Sequence, residues 1–328
     1  MRERDSRIDI LKFIGIICIL LAHVNPPAQI FELRNFDVVL MVFLTGTTYY
    51  ISSGNRLSYK SYVLKRFHRL IQPTWMFLVI FFPLFFIIFQ FTQKTAVFTF
   101  EKIVRSFLLV DGIGYVWIMR IYFCTALLLP FFSWCNNKIK RNIIYFACII
   151  PLYFIYIGFI QLTPLFENSP LSELYQFLLI DTLGWGIIAA IGIRSYKFSI
   201  KEQSLCCIFF GALYFLFRHI TNAAPTQDFK YPPRIYYIAY GLFVTYLLLL
   251  ILNNNLVKKI FNNTLFNYIA RNSLWIYLWH IIPVYILKYF GNSFPFINSN
   301  WILKFIFILG CTLILTLFQN IITHKKRR

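Results

Sequence analysis

Ile8-Asp9-Ile10-Leu11-Lys12-Phe13-Ile14-Gly15-Ile16-Ile17-Cys18-Ile19-Leu20-Leu21-Ala22-His23-Val24 is the stretch on which the reading of this chain turns. Its length as a helix, about 25 Å at 1.5 Å per residue, approaches the bilayer hydrocarbon core of about 30 Å. Basic residues precede it, as in a secretory signal. No small-x-small cleavage site closes it and more apolar runs follow, so it reads as an uncleaved first membrane helix. An ionisable group near the centre of a span costs at least ~2.5–3.5 kcal/mol, which asks for a partner, a wet cavity or a function. Lys12 and His23 are 11 residues apart, and at 100° per residue that is three turns plus about 20°. One helical face therefore carries a cation near one end and an imidazole about 16 Å further along. The plainer alternative is a snorkelling Lys12 and an interfacial His23.

Working outward, nine further apolar runs follow at 36–52, 73–91, 114–135, 142–161, 173–193, 203–220, 232–252, 272–290 and 301–322. The 328 residues are 59% hydrophobic and 13% charged, against about 25% charged for a soluble domain. The expected fold is an all-α integral membrane protein of about ten transmembrane helices, one domain over 1–328, with the lipid bilayer as its solvent. A net charge of +20 would suggest nucleic acid in a soluble protein. Here the basic residues fall in short connections between apolar runs, so no nucleic-acid partner is expected. With the N-terminus inside, the cytoplasmic segments hold 21 Lys and Arg, among them Arg2, Arg4 and Arg56, and the outer segments six, among them Lys94. That asymmetry puts both termini in the cytoplasm, residues 323–328 as a basic tail, and the chain as a multi-pass protein of the cell membrane. The seven cysteines lie in or at the end of apolar runs, without CxxC or Cys/His spacing, so no metal site is expected.

The other charges in or beside spans are the remaining candidates. Asp37, Arg120, His219 and Arg218 belong to the outer half in this topology, and Asp181 and His280 lie nearer the middle. Asp37 either orients His23 or pairs with Arg34. Arg218 and His219 are either substrate contacts or an outer snorkel, and His280 is either a substrate contact or a hydrogen-bonded core histidine. Lys230 and Arg234, flanking Tyr231-Pro232-Pro233, either stack on a sugar or cap the eighth span.

At this point the chain resembles a family. Arg7-Ile8-Asp9-Ile10-Leu11-Lys12, ten residues, then His23 is similar to the start of the acyltransferase-3 membrane proteins. Phe36-Asp37 leading into Phe43-Leu44-Thr45-Gly46 resembles that family's second span. Lys65-Arg66-Phe67-His68-Arg69-Leu70-Ile71-Gln72-Pro73 resembles the basic loop before its third span. Gly112 to Arg120 is similar to the approach to its fourth, and Ser273-Leu274-Trp275-Ile276-Tyr277-Leu278-Trp279-His280 to its late Tyr-Leu-x-His element. Lysine stands at position 12 where the family often has arginine, and lysine cannot fork bidentately to a phosphate.

The resemblance implies transfer of an acyl group, usually acetyl from acetyl-coenzyme A, to a hydroxyl of a cell-envelope glycan or lipid-linked sugar, with no permanently bound cofactor. Lys12, Lys65, Arg66 and Arg69 would hold the coenzyme's phosphates. His23 would serve as general base or acyl carrier, Asp37 would orient it, and Arg120 or Arg218 would stabilise the oxyanion. A weaker substrate role falls to Arg218, His219, His280, Lys230 and Arg234. A polysaccharide polymerase or a flippase-type transporter is the alternative class. The first would show long arginine-rich outer loops and the second broken or repeated halves.

Overall fold

The computed structural model describes residues 5–52, 58–92, 98–261 and 263–325. Arg2, Arg4, Arg56, Lys94 and residues 326–328 of the basic tail, all used in the charge count above, lie outside the described residues. In chain order the helices are α1 (Ser6–Ala22), α2 (Ala28–Leu33), α3 (Asp37–Ile51), α4 (Tyr59–Phe91), α5 (Phe100–Phe107), α6 (Trp117–Lys138), α7 (Asn142–Leu162), α8 (Ser172–Tyr175), α9 (Thr182–Ser195) and α10 (Ile200–Ile220). They continue as α11 (Ile235–Ile251), α12 (Asn255–Phe261), α13 (Thr264–Arg271), α14 (Ser273–Trp279), α15 (Ile281–Phe290), α16 (Pro295–Asn298) and α17 (Trp301–Lys325). No strand occurs among the described residues.

Among the described residues, seven segments are long and apolar enough to cross a membrane: Tyr59–Phe91, Trp117–Lys138, Asn142–Leu165, Ser172–Ser195, Ile200–Ile220, Ser273–Ser293 and Trp301–Thr323. The pair α11 and α12 meets the same test as one run, bent by 102°. The first two expected spans correspond to α1 and α3, which have 17 and 15 residues. At 1.5 Å per residue these are about 25 and 22 Å long, a little under the hydrocarbon thickness. The third helix differs from its expected bounds. It starts at Tyr59 rather than at residue 73, so the basic segment 65–73 is helix and not loop, and Pro73 sits in its interior. Proline inside a membrane helix is tolerated because neighbouring groups take over the freed carbonyl. The helices α7, α10 and α17 bury few of their apolar side chains, which suits lipid and would be costly in water.

The contacts of the chain group into two compact units, residues 1–37, 72–117 and 259–328 in the first and 38–71 and 118–258 in the second.

In the first unit α1 packs on α13, α14 and α17. Its start is capped by Asp5, whose carboxylate accepts from the Arg7 N–H at 3.0 Å, and it ends at His23 because Asn25 takes a left-handed φ of 52° and Pro26 and Pro27 follow. The connection over 98–116 is pinned back onto the helices. Phe98 lies against the rings of Phe81, Phe82, Phe85, Phe89 and Tyr285 at 5.3–6.2 Å. Trp75 Nε1 donates to the Phe107 carbonyl at 2.8 Å, and the Tyr285 hydroxyl donates to the Ile113 carbonyl at 2.8 Å. The chain turns at His280, between α14 and α15. Pro283 has no N–H to offer the Trp279 carbonyl four residues earlier, which favours the break there.

In the second unit α3 and α9 cross with backbones in contact. A Cβ on Gly46 would lie 2.0 Å from the Ala189 carbonyl oxygen, and one on Gly192 would lie 2.1 Å from the Phe43 carbonyl oxygen. Thr47 Oγ1 donates to the Gly192 carbonyl at 2.9 Å. Small residues that let membrane helices approach this closely replace the hydrophobic drive that lipid cannot supply. Arg194, at the end of α9, is buried and ties down the α6–α7 turn. It donates to the carbonyls of Asn136, Ile139 and Lys140 at 2.6–3.1 Å and to the Asn142 side chain at 2.6 Å.

Candidate functional site

The first unit holds a cluster of two histidines and a tyrosine. The His23 imidazole, at the C-terminal cap of α1, stacks on His280 with ring centroids 5.1 Å apart and planes 26° apart. Tyr115 stands edge-on to both, at 4.9 Å from His23 and 6.1 Å from His280. Tyr115 and His280 are each held by Tyr277. The Tyr277 hydroxyl donates to the Tyr115 carbonyl at 2.5 Å. His280 is fully buried and its Nδ1 is hydrogen-bonded to the Tyr277 carbonyl. A carbonyl only accepts, so Nδ1 carries the hydrogen and the neutral ring keeps its lone pair on Nε2. His23 remains half-buried. An imidazole changes charge near neutral pH and can take a proton from a hydroxyl, which is the chemistry this cluster offers.

Asp37 carries the Arg34 guanidinium on its carboxylate, Nη1 to Oδ2 at 2.9 Å, and both side chains are buried. Arg34 also lies over the Phe31 ring at 3.9 Å. The pairing with Arg34 considered from the sequence is therefore formed. Lys12 is half-buried on α1, in the same unit. The connection leading to Tyr115 carries Asp111, whose carboxyl is held below the usual carboxylate range by a hydrogen bond from Arg105 at 2.6 Å, with the Gly112 N–H adding to it.

The other candidates belong to the second unit and are described within it. Arg120 on α6 donates to Asp181 at 3.1 Å, and Gln176 donates to the other oxygen of the same carboxylate at 3.1 Å. Gln176 and Asp181 bracket a π-helical turn, where the i to i+5 spacing brings the amide to the carboxylate. Arg120 also lies 5.4 Å from the Phe177 ring. Lys65 and Arg69 are exposed on the first part of α4, while Arg66 is half-buried against the rings of Tyr62 and Tyr49 at 5.0 and 6.0 Å. Arg218 and His219 are exposed at the end of α10, where they line a shallow, open cleft with Phe215, Asn222 and Ala223. Lys230 is buried among aromatic faces, 5.4 Å from Tyr231 and 5.7 Å from Tyr237, and Arg234 is exposed.

The structure therefore brings His23 and His280 together, joins Arg34 to Asp37 and Arg120 to Asp181, and leaves Arg218, His219, Lys65 and Arg69 on the surface. It adds Tyr115, which the sequence did not single out. In a chain that is 20% aromatic one more tyrosine carries no signal. Its position beside two glycines, Gly112 and Gly114, both with positive φ, is the only local mark of a shaped turn.

A family model described as an acyltransferase domain, of the acyltransferase-3 type, matches residues 5–319. No curated protein and no solved structure matches the chain.

Proposed function

The chain belongs to the acyltransferase-3 family, and from that premise we propose that it is the membrane enzyme that moves an acetyl group from acetyl-coenzyme A to a hydroxyl of a cell-envelope sugar. The observation that carries this reading is the stacked His23–His280 pair with Tyr115 at its edge. His23 takes the proton of the sugar hydroxyl as its oxygen bonds to the thioester carbon. The carbon–sulfur bond breaks, and the proton passes on to the departing coenzyme thiolate. A positioned base of this kind contributes about 10²–10⁴-fold. Lys12, Lys65, Arg66 and Arg69 are proposed to bind the coenzyme's phosphates, and Arg120, already paired with Asp181, to lend positive charge to the oxyanion. Ten spans with both termini cytoplasmic, in the cell membrane, complete the reading. This order of residues suits a reaction whose donor is cytoplasmic and whose acceptor faces outward.

The test is reconstitution in lipid vesicles with acetyl-coenzyme A labelled in its acetyl group and a panel of simple sugars as acceptors. Label should appear as an O-acetyl ester on a sugar in the parent protein. Release of coenzyme A without any sugar ester would sink the acceptor assignment. An external-reporter fusion after Arg328 should be silent and one at Lys102 active; the reverse pattern would overturn the orientation.

A further inference from the structure

We infer that His280 is the second hydrogen-bond acceptor of the reaction site, and that the His23–His280 pair selects a vicinal diol: the hydroxyl to be acylated faces His23 while its ring neighbour donates to His280 Nε2. This rests on the sugar O-acylation reading above and adds to it the class of acceptor.

One buried ring nitrogen of the site lacks a partner. The His280 ring is fully buried, its Nδ1 is engaged by the Tyr277 carbonyl, and its Nε2 has no hydrogen-bond partner. A core histidine kept for packing would be expected to satisfy both nitrogens, because an unpaired buried acceptor is costly. The tautomer fixed by Tyr277 makes Nε2 an acceptor and not a donor. His23 does not fill that need. The two rings are stacked, at 26° between planes, whereas ring-nitrogen lone pairs lie in the plane of their own ring. The His23 base proposed above and His280 Nε2 each take a donor in the plane of their own ring, and the two planes are nearly parallel.

A pair of neighbouring sugar hydroxyls meets both requests. Adjacent ring hydroxyls sit about one hydrogen-bond length apart, and each O–H···N bond adds a further length of about 2.9 Å. Two such bonds, splaying slightly, reach two rings whose centroids are 5.1 Å apart. A lone hydroxyl on His23 would leave the His280 acceptor unpaired. Tyr115, edge-on to both imidazoles and fixed through its carbonyl by Tyr277, walls one side, so the diol would be presented in a defined orientation.

The test compares acceptors within each protein, so that expression level cancels. Methyl pyranosides of glucose, galactose, mannose and rhamnose are offered with acetyl-coenzyme A to the vesicle-reconstituted protein. The best acceptor is then set against its analogue in which the hydroxyl next to the acylated one is replaced by hydrogen. In the parent, kcat/KM should fall about tenfold or more for the deoxy analogue. His280→Asn keeps a donor for the Tyr277 carbonyl but no acceptor at the ε position, and its ratio of diol to deoxy acceptor should collapse toward one. His280→Gln restores an acceptor there and should recover the discrimination. A ratio near one in the parent, an unchanged ratio in His280→Asn, or loss of the ratio in both variants alike would overturn the proposal. So would a rise in KM for acetyl-coenzyme A with the ratio intact, since His280 would then face the donor. Sugar acylation without discrimination fails this inference alone, whereas no acylation of any pyranoside fails the function it rests on.

Discussion

The ends of α1 and α10 look alike in the sequence and differ in the folded chain. Each is an apolar run that closes near a histidine, His23 in one and His219 in the other, with a basic residue on the same helix. In its own unit, α1 packs on three helices and has eight buried residues, and His23 stacks on His280. In the other unit α10 buries four residues and leaves Arg218 and His219 exposed on an open cleft. Hydropathy registers how apolar a helix is, and cannot say whether its apolar face meets protein or lipid. The chemistry follows the packing: an imidazole acquires an oriented partner only where neighbouring helices hold one.

The largest effect that separates the two regions is on stability. Arg34 and Asp37 form an ion pair with both side chains buried, and removing one member of such a pair costs about 3 kcal/mol at the lower end. Arg34→Ala should therefore lower the thermal midpoint in detergent clearly. Arg218→Ala removes an exposed guanidinium that reaches the Tyr214 hydroxyl at 3.2 Å, and should cost no more than about 0.5 kcal/mol. Equal midpoints for the two variants would break the comparison.

Next comes catalysis. His23→Ala should reduce acyl transfer by at least ~10²-fold while the protein stays in the membrane at normal level. His23→Gln should be as inactive, because an amide forms hydrogen bonds but does not take the proton. His219→Ala should stay within about twofold of the parent, as expected for an exposed residue on an open cleft. Normal turnover by a well-expressed His23→Ala protein would remove the base from the mechanism.

The sequence carried the helices well and the partners poorly, for a physical reason. Apolar runs of membrane length are set by the bilayer, so Trp117–Lys138, Asn142–Leu162 and Ile200–Ile220 fall within a few residues of their expected bounds. The start of α4 was misplaced because charge and helix are independent. Lys, Arg and Leu are good helix formers, so Tyr59 to Gln72 continues the helix although it reads as a polar loop. Arg194 shows the same limit from the other side. One of the basic residues in the charge count, it is also a buried donor to three backbone carbonyls. The Lys12–His23 spacing pointed to His23 from one helix alone, but Tyr115 and the lone Nε2 of His280 depend on segments more than 90 residues away in the chain.

A smaller effect tests the donor residues. Lys65 and Arg69 are exposed and Arg66 is half-buried beside Tyr62, so each phosphate contact should be worth about 0.5 kcal/mol, in the range of exposed ion pairs. The triple alanine variant should raise KM for acetyl-coenzyme A about tenfold, with kcat at saturating donor close to the parent value. High salt should shrink the gap between the two proteins. An unchanged KM would leave these residues as topology signals only.

The smallest effect is electrostatic and concerns the connection that ends at Tyr115. Asp111 pairs with Arg105 at 2.6 Å and accepts from the Gly112 N–H, and Arg105 is the larger cause of its lowered pKa. A carboxyl whose folded pKa lies below its ordinary value of 3.8 binds its proton less readily folded than unfolded. The stabilisation is therefore complete above that ordinary value and disappears as the pH falls through the lower, folded one. The Asp111 side chain is 68% exposed, so solvent screening holds the contribution to at most about 0.5 kcal/mol. Asp111→Asn keeps the acceptor oxygen for Gly112 and loses the charge. Its thermal midpoint should lie slightly below that of the parent at neutral pH, by less in high salt, and the two curves should converge as the buffer is taken below the ordinary carboxylate range. A gap that widens on acidification would mean that Asp111 acts through something other than its charge on Arg105.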